Sequence, residues 1–193
     1  MKDQYYHTEA SVEEYIRAVE GFSGEALIEK LKHVLPVEAT VLEFGSGPGT
    51  DWKILSESYT VTGSDYSSTF VNHLQTKNPQ GKFLQLNAST VQTDKQFDSI
   101  YSNKVLHHLT DEELTSSIKR QHEILNPEGV ICHSFWKGEG SEVFKGLFVN
   151  YHDEAALTKA FEAHFEIIAL ELYAEFEDSD SLLFIGKRKP SLM

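Results

Sequence analysis

Read from the amino terminus, the apolar positions of this chain change spacing repeatedly. Over residues 11–20, Val12, Tyr15, Ile16 and Val19 recur at three- and four-residue intervals, the period of one helix face. Ser11 and Glu14 predict a capping box at its start. A second helical pattern over 24–35 carries Leu27, Ile28, Leu31 and Leu35 and is stopped by Pro36. Short apolar runs then alternate with helical patterns. Strands are predicted near 40–44, 59–64, 82–86, 98–102 and 129–134, and helices near 50–58, 67–77, 111–125 and 153–163. Such alternation builds a parallel sheet through right-handed crossovers, with helices on both faces. It breaks at the end, where 165–173 and 181–187 both read as strands with no helix-length pattern between them. These two should pair antiparallel. The expected class is α/β, five parallel strands plus a C-terminal antiparallel strand pair, in one structural domain.

The junction of the first strand and its helix carries the most chemistry. Val41-Leu42-Glu43-Phe44 runs into Gly45-Ser46-Gly47-Pro48-Gly49, and Asp51-Trp52-Lys53-Ile54-Leu55 can open a helix. Alternate glycines let the backbone turn tightly and approach a ligand closely. The helix N-terminus beyond offers N–H groups. A carboxylate at Glu43 would repel a pyrophosphate but suits a ligand with positive charge. A nicotinamide-dependent oxidoreductase, NAD(P) being its cofactor, is the rival. Its Gly-x-Gly-x-x-Gly fingerprint wants a glycine where Thr50 stands.

In four features and in their order, the chain resembles the class I S-adenosylmethionine-dependent methyltransferases of small-molecule type. Their first motif, Glu/Asp-x-Gly-x-Gly-x-Gly, stands unbroken as Glu43, Gly45, Gly47 and Gly49. Asp65 closes the next strand. The strand 97–102 runs into Asn103-Lys104-Val105-Leu106-His107-His108-Leu109, and Leu125-Asn126-Pro127-Glu128-Gly129-Val130 joins a helix end to a fifth strand. The resemblance spans residues 36–189. It implies a Rossmann-like doubly wound sheet and S-adenosyl-L-methionine as cofactor, with S-adenosyl-L-homocysteine as product. It also implies methyl transfer to O, N, S or C of an acceptor. Residues 1–35 are expected as N-terminal helices forming a lid, with Tyr5, Tyr6 and Tyr15 near the cofactor, over a core of residues 36–193.

The resemblance also assigns roles. Gly45, Ser46, Gly47 and Gly49 would bring main chain against the methionine part of the cofactor, and Glu43 would hold a loop N–H or a water on its ammonium. Asp65 would accept from both ribose hydroxyls; capping the helix that follows is its other role. Tyr66 lies along the adenine or packs on the sheet edge. Asn87 stands where many members carry Asp and can accept from the adenine amino group, with the Ala88 N–H on the ring. Ser102 and Asn103 follow the fourth strand, where ligands of open α/β sheets bind. Members that methylate nucleic-acid bases usually read Asn/Asp-Pro-Pro-Tyr/Phe there, and Ser102-Asn103-Lys104-Val105 departs from it. His107 is the candidate general base, ahead of His108, which the resemblance makes structural. Phe135, Trp136, Phe144, Phe148 and Tyr151 are candidates for the acceptor wall.

Composition narrows the partners. A net charge of −13 over 193 residues argues against nucleic acid and anionic membrane. The one basic cluster, Lys187-Arg188-Lys189, reads as a solvated end. Cys132 reads as a small core residue. With no His-x-x-x-His or Cys-x-x-Cys, no metal site is expected. Neither a signal-peptide core nor an apolar run of roughly 18 residues is present, so a cytoplasmic monomer or homodimer is expected. The acceptor is expected to be a small molecule. These motifs report on fold and cofactor, so a non-catalytic binder that keeps the fold stays open.

Overall fold

The structure, a computed structural model, describes residues 8–144 and 146–190. Tyr5 and Tyr6 lie outside them. Among the described residues nine strands run in chain order: β1 Thr40–Phe44, β2 Thr60–Asp65, β3 Lys82–Gln85, β4 Phe97–Asn103, β5 Leu125–Trp136, β6 Ser141–Phe144, β7 Leu147–Asn150, β8 Phe165–Tyr173 and β9 Ser181–Arg188. The helices are α1 Glu9–Ala18, α2 Glu25–Lys32, α3 Thr50–Leu55, α4 Ser68–Lys77, α5 Asp111–Ile124 and α6 Glu154–Phe161, with a single 3₁₀ turn at Leu106–His108. Seven strands form one sheet in the order β3-β2-β1-β4-β5-β9-β8. The first five are mutually parallel. β9 pairs antiparallel with both β5 and β8. Of the terminal pair, then, only β9 is reversed; β8 runs with the parallel five.

Burial follows the two-residue period of the strands. Val41, Val61, Val130, Cys132, Leu183 and Ile185 face one side, against Leu27, Ile28 and Leu31 of α2 and Leu55 of α3. Leu42, Phe44, Ile100, Ile131, Leu182 and Phe184 face the other, against Leu114 and Ile118 of α5 and Leu157 and Phe161 of α6. Both faces are covered, which is why these strands read as continuous apolar runs. Each fully buried Leu or Ile stabilises the fold by roughly 1.5–3 kcal/mol. Chain order reverses between β1 and β4, and a crevice opens at the carboxyl ends of the strands at such a point.

Four expectations need correction. α1 starts earlier than predicted: Thr8 is its N-cap, accepting from the Ser11 N–H at 3.1 Å, and Ser11 takes the place of the usual Glu in the box. The turn at Asn126–Gly129 is an irregularity inside β5, where Glu128 takes a φ of 67° and pairing with β4 shifts register between Phe97 and Ser99. The hairpin of β6 and β7 was not anticipated. The basic cluster is not a free end. Lys187 Nζ lies 2.5 Å from Glu128, Arg188 Nε donates to the His122 carbonyl at 2.9 Å, and Lys189 N donates to the His164 carbonyl at 2.9 Å. Cys132 is fully buried and its thiol pKa is pushed up by desolvation. Among the described residues no helix is long and apolar enough to cross a membrane.

Candidate functional site

A cleft of about 430 Å³ opens at the carboxyl ends of β1, β2 and β4. One half begins where β1 runs out. Gly45 turns the chain with a φ of 61°, and a Cβ there would lie 2.5 Å from Val105 Cγ2. Gly47, with a φ of 47°, lines the cleft, and a Cβ there would enter it 3.7 Å from the Tyr15 ring. Beneath the loop lies a buried polar lattice. The Ser46 N–H donates to the Ser64 carbonyl at 2.8 Å, and the Ser64 N–H donates back to Ser46 Oγ at 3.0 Å. The Ser64 hydroxyl donates to the Glu43 carbonyl at 2.7 Å.

Asp65 ends β2 and spans the gap between the two strand ends. One carboxylate oxygen accepts from the Gly47 N–H at 3.1 Å and the other from the Ser67 N–H at 2.8 Å. The N-cap of α4 is Ser67, whose Oγ accepts from Phe70 N at 3.3 Å. Asp65 therefore braces the glycine loop and is not the helix cap. Tyr66, Asn87 and Ala88 continue this wall. The Asn87 carbonyl oxygen already accepts from the Ser89 N–H at 2.8 Å and hydroxyl at 2.7 Å.

Glu43 is 2% exposed and does not line the cleft. Its carboxyl accepts from the Ser46 hydroxyl at 2.5 Å. Burial, and then the charges of Asp51 and Asp65, push its pKa up to about 8 against the opposing pull of that bond. A group with that pKa keeps its proton through neutral pH. Beside the glycine loop the acidic residue that lines the cleft is Asp65, which corrects the role given to Glu43 as a charge beside the loop. Ser46, Gly49 and Ser102 are likewise behind the lining. Ser102 is fully buried, its Oγ 2.8 Å from Nδ1 of His133.

The other half of the cleft follows β4. Asn103 and Lys104 line it. Lys104 takes a φ of 54°, and its Nζ donates to the Phe135 carbonyl at 3.0 Å and Ser181 Oγ at 2.6 Å while lying 3.5 Å above the Trp136 ring. Desolvation lowers its pKa to about 8. Beyond it the 3₁₀ turn separates the two histidines. His107 is 3% exposed, outside the lining, and burial holds its pKa well below the usual range. That corrects its assignment as the candidate base: the turn drives His107 inward beside Leu106, and His108 is the one that lines the cleft. His108 Nδ1 sits 2.7 Å from the Phe148 carbonyl oxygen. Val143, Gly146, Leu147 and Phe148 of the β6–β7 hairpin close this side. Phe148 therefore reaches the wall as expected, whereas Phe135 is fully buried in the core and Phe144 is 58% exposed. Among the described residues no group of three metal-ligating side chains is assembled.

One residue that sequence reasoning missed, Asp51, organises the site from outside, and Tyr15, expected near the cofactor, lines the cleft. Asp51, in the first turn of α3, accepts from the Gly24 N–H at 2.7 Å, the Tyr101 hydroxyl at 2.8 Å and Asn103 Nδ2 at 3.2 Å. It ties the segment before α2 to the glycine-loop helix and to β4. Tyr15 of α1, set 5.8 Å from the Phe70 ring, lies over Gly47.

Comparison with known proteins agrees with this geometry. A family model of a methyltransferase domain matches residues 41–129, the stretch from β1 into β5 that ends before the hairpin. An uncharacterized methyltransferase of Oceanobacillus iheyensis is 38% identical over 97 residues, covering 47% of this chain and 44% of that one. Another, from Bacillus licheniformis, is 30% identical over 138 residues, covering 70% and 61%. The chain thus spans about half the length of the curated relatives it matches. Among solved structures, the 1,6-didemethyltoxoflavin-N1-methyltransferase of Burkholderia thailandensis was determined with 1,6-didemethyltoxoflavin and S-adenosylhomocysteine bound. It superposes with a TM-score of 0.78 at 19% identity, over 94% of this chain and 85% of that one. Identity at that level shows a shared fold.

Proposed function

We propose that this chain, whose residues 41–129 match a methyltransferase domain, is a class I S-adenosylmethionine-dependent methyltransferase that binds its cofactor in the cleft and methylates a small-molecule acceptor there. The observation that carries this reading is the placement of Asp65. Its carboxylate is oriented by the Gly47 and Ser67 N–H groups inside the same cleft that the glycine loop and Asn87 line. A carboxylate oriented in this way beside the glycine loop suits a ligand that carries a pair of vicinal hydroxyls. The residues fit the group in a second way: Gly47 lines the cleft, and a Cβ there would meet nothing nearer than the Tyr15 ring at 3.7 Å, so its main chain is open to a ligand.

On this reading Gly45 and Gly47 present main chain to the cofactor, Asp65 holds its ribose, and Tyr66, Asn87 and Ala88 border its base. Asn103, fixed by Asp51 and by the Ser134 hydroxyl at 2.6 Å, stands between the two halves. When bound, the cofactor supplies a methyl group already activated by a sulfonium. What this chain contributes is alignment and exclusion of water. α1, with Tyr15 over Gly47, and the hairpin, with Leu147 and Phe148, cover the two ends and act as lids. The small-molecule acceptor is supported by the apolar lining of the hairpin side, Val143, Leu147 and Phe148, and by the net charge of −13, which disfavours a polyanion. The solved relative from Burkholderia thailandensis, itself named for a small-molecule substrate, agrees with that class.

Thermal melts test the proposal. S-adenosylhomocysteine at about 100 times its dissociation constant should stabilise the protein by about 2.7 kcal/mol, with no shift from NAD or ATP. A shift with NAD and none with S-adenosylhomocysteine would overturn it.

A further inference from the structure

We propose that Asn87 meets the base of the cofactor as a hydrogen-bond donor, through Nδ2 to a ring nitrogen, and leaves the 6-amino group of adenine unread. This rests on the methyltransferase reading and deepens it at the same site.

Both oxygens of Asn87 are filled. Oδ1 accepts from the Ser89 N–H at 2.8 Å and from the Ser89 hydroxyl at 2.7 Å. The main-chain carbonyl accepts from the Thr90 N–H at 3.2 Å and the Val91 N–H at 2.9 Å. A carbonyl oxygen has two lone pairs, and each of these oxygens already has two donors. The identity of the amide arms is forced as well. A main-chain N–H only donates, so the arm beside Ser89 is the oxygen and the other arm is Nδ2. Nδ2 has no partner among the described residues, and its N–H donors are what the side chain has left to offer a ligand.

The surrounding loop fixes that orientation. Leu86 N donates to the Asp65 carbonyl at 2.9 Å, which seats Asn87 next to the strand end that carries Asp65. On the far side Val91 is fully buried, and Arg120 of α5 donates from Nε to the Val91 carbonyl at 3.3 Å and from Nη2 to the Thr93 carbonyl at 2.8 Å. Asn87 itself is exposed where it lines the cleft. Adenine carries its 6-amino donor between two ring acceptors, N1 and N7. A donor on the protein pairs with a ring nitrogen and has nothing to give the amino group, which at an exposed rim keeps its water. The polarity expected of Asn87 from the sequence is thereby reversed.

The probes are S-adenosylhomocysteine and its 6-deamino analogue, in which hydrogen replaces the amino group, each titrated by calorimetry. Removing a donor that a protein acceptor reads costs about fivefold or more, because the acceptor is left bare. The wild type should bind the two ligands within about threefold of each other, and a larger loss overturns the proposal. Asn87→Asp keeps the shape and the bonds to Ser89 and puts an acceptor where Nδ2 stands. In that variant the amino group should become worth about tenfold or more in affinity, as for a hydrogen bond to a charged group. An unchanged ratio overturns the proposal. Side-chain amide ¹⁵N–¹H spectra of the wild type need no variant. The Asn87 Nδ2 protons should move downfield with either ligand, and protons that stay in place, or that move with S-adenosylhomocysteine alone, overturn the assignment. If S-adenosylhomocysteine binds and these tests fail, only this inference falls; if it does not bind, the methyltransferase reading falls first.

Discussion

The half of the cleft under β1 and β2 and the half under the β6–β7 hairpin differ in what lines them. In the first, main chain does most of the work: Gly45, Gly47 and Ala88, with Asp65 held by two backbone N–H groups. Behind it stands a lattice of Glu43, Ser46 and Ser64, each at most 5% exposed. In the second, side chains line the wall, and the hairpin carries Val143 at 69% and Phe144 at 58% exposure. The first half forms whenever the sheet forms. The second hangs on a two-stranded sheet of its own, seated by the buried Val149 and by hydrogen bonds to His108 and α5. On the proposed function this separates the molecule into a part that sets the cofactor and a part that sets the acceptor.

Substitutions can break or sharpen that division. The largest effect is expected at Asp65. Asp65→Ala should weaken S-adenosylhomocysteine binding by about 1.5–3 kcal/mol, roughly ten- to a hundredfold, measured by calorimetric titration. Unliganded stability should fall less, by about 1 kcal/mol, as the Gly47 and Ser67 N–H groups lose their acceptor. Unchanged affinity would remove Asp65 from the ligand.

Next comes the pH dependence set by Glu43. Its folded pKa of about 8 lies above the ordinary carboxyl value of 4.5. Folding therefore takes up a proton, and the associated stability is lost as pH rises from the unfolded value through about 8. The buried histidines His107 and His133 have lowered pKa values, so their stability is lost as pH falls below about 6.5. Lys104, lowered to about 8, acts above that pH. The window from about 6.5 to 8 belongs to Glu43. Urea melts there should show the unliganded protein losing about 2 kcal/mol. Glu43→Gln should flatten the curve, and an equally steep Glu43→Gln curve would show that Glu43 is ionised throughout.

A smaller effect is expected at Gly47. Gly47→Ala puts a side chain at a φ of 47°, costing about 1–2 kcal/mol of stability and pointing a methyl into the cleft. The smallest is expected across the division. Leu147→Asn, on the half-buried hairpin, should change unliganded stability by about 0.5 kcal/mol or less and leave S-adenosylhomocysteine affinity within about twofold. A large loss of cofactor binding there would show that the halves are coupled.

Legibility in the sequence divides along the same line. The glycine loop, Asp65 and the strand spacing are local patterns, and the parallel sheet with its antiparallel end follows from them. The histidines are different. His107 and His108 are adjacent and chemically identical, and only the pitch of the 3₁₀ turn decides which enters the core with Leu106. The hairpin was illegible for another reason. Its two strands are four residues each, β6 is exposed throughout, and no apolar period develops. Gly146, with a φ of 84° between Val143-Phe144 and Leu147-Phe148, is the signal that could have revealed it. Glu43 was identified by type, yet its protonation depends on burial and on Asp51 and Asp65, which are brought to it by folding.

Asp51 has a consequence for hydrogen exchange. The Gly24 amide, which opens α2, has its proton on a carboxylate 27 residues further along the chain. A helix-start amide ordinarily exchanges with deuterium by local fraying. This one can exchange only when α3 lifts from Tyr101 and Asn103 or when the segment before α2 peels away. Its protection therefore measures the seating of the glycine-loop helix from a site outside the cleft. A ligand that rigidifies the loop should slow the Gly24 amide without touching it.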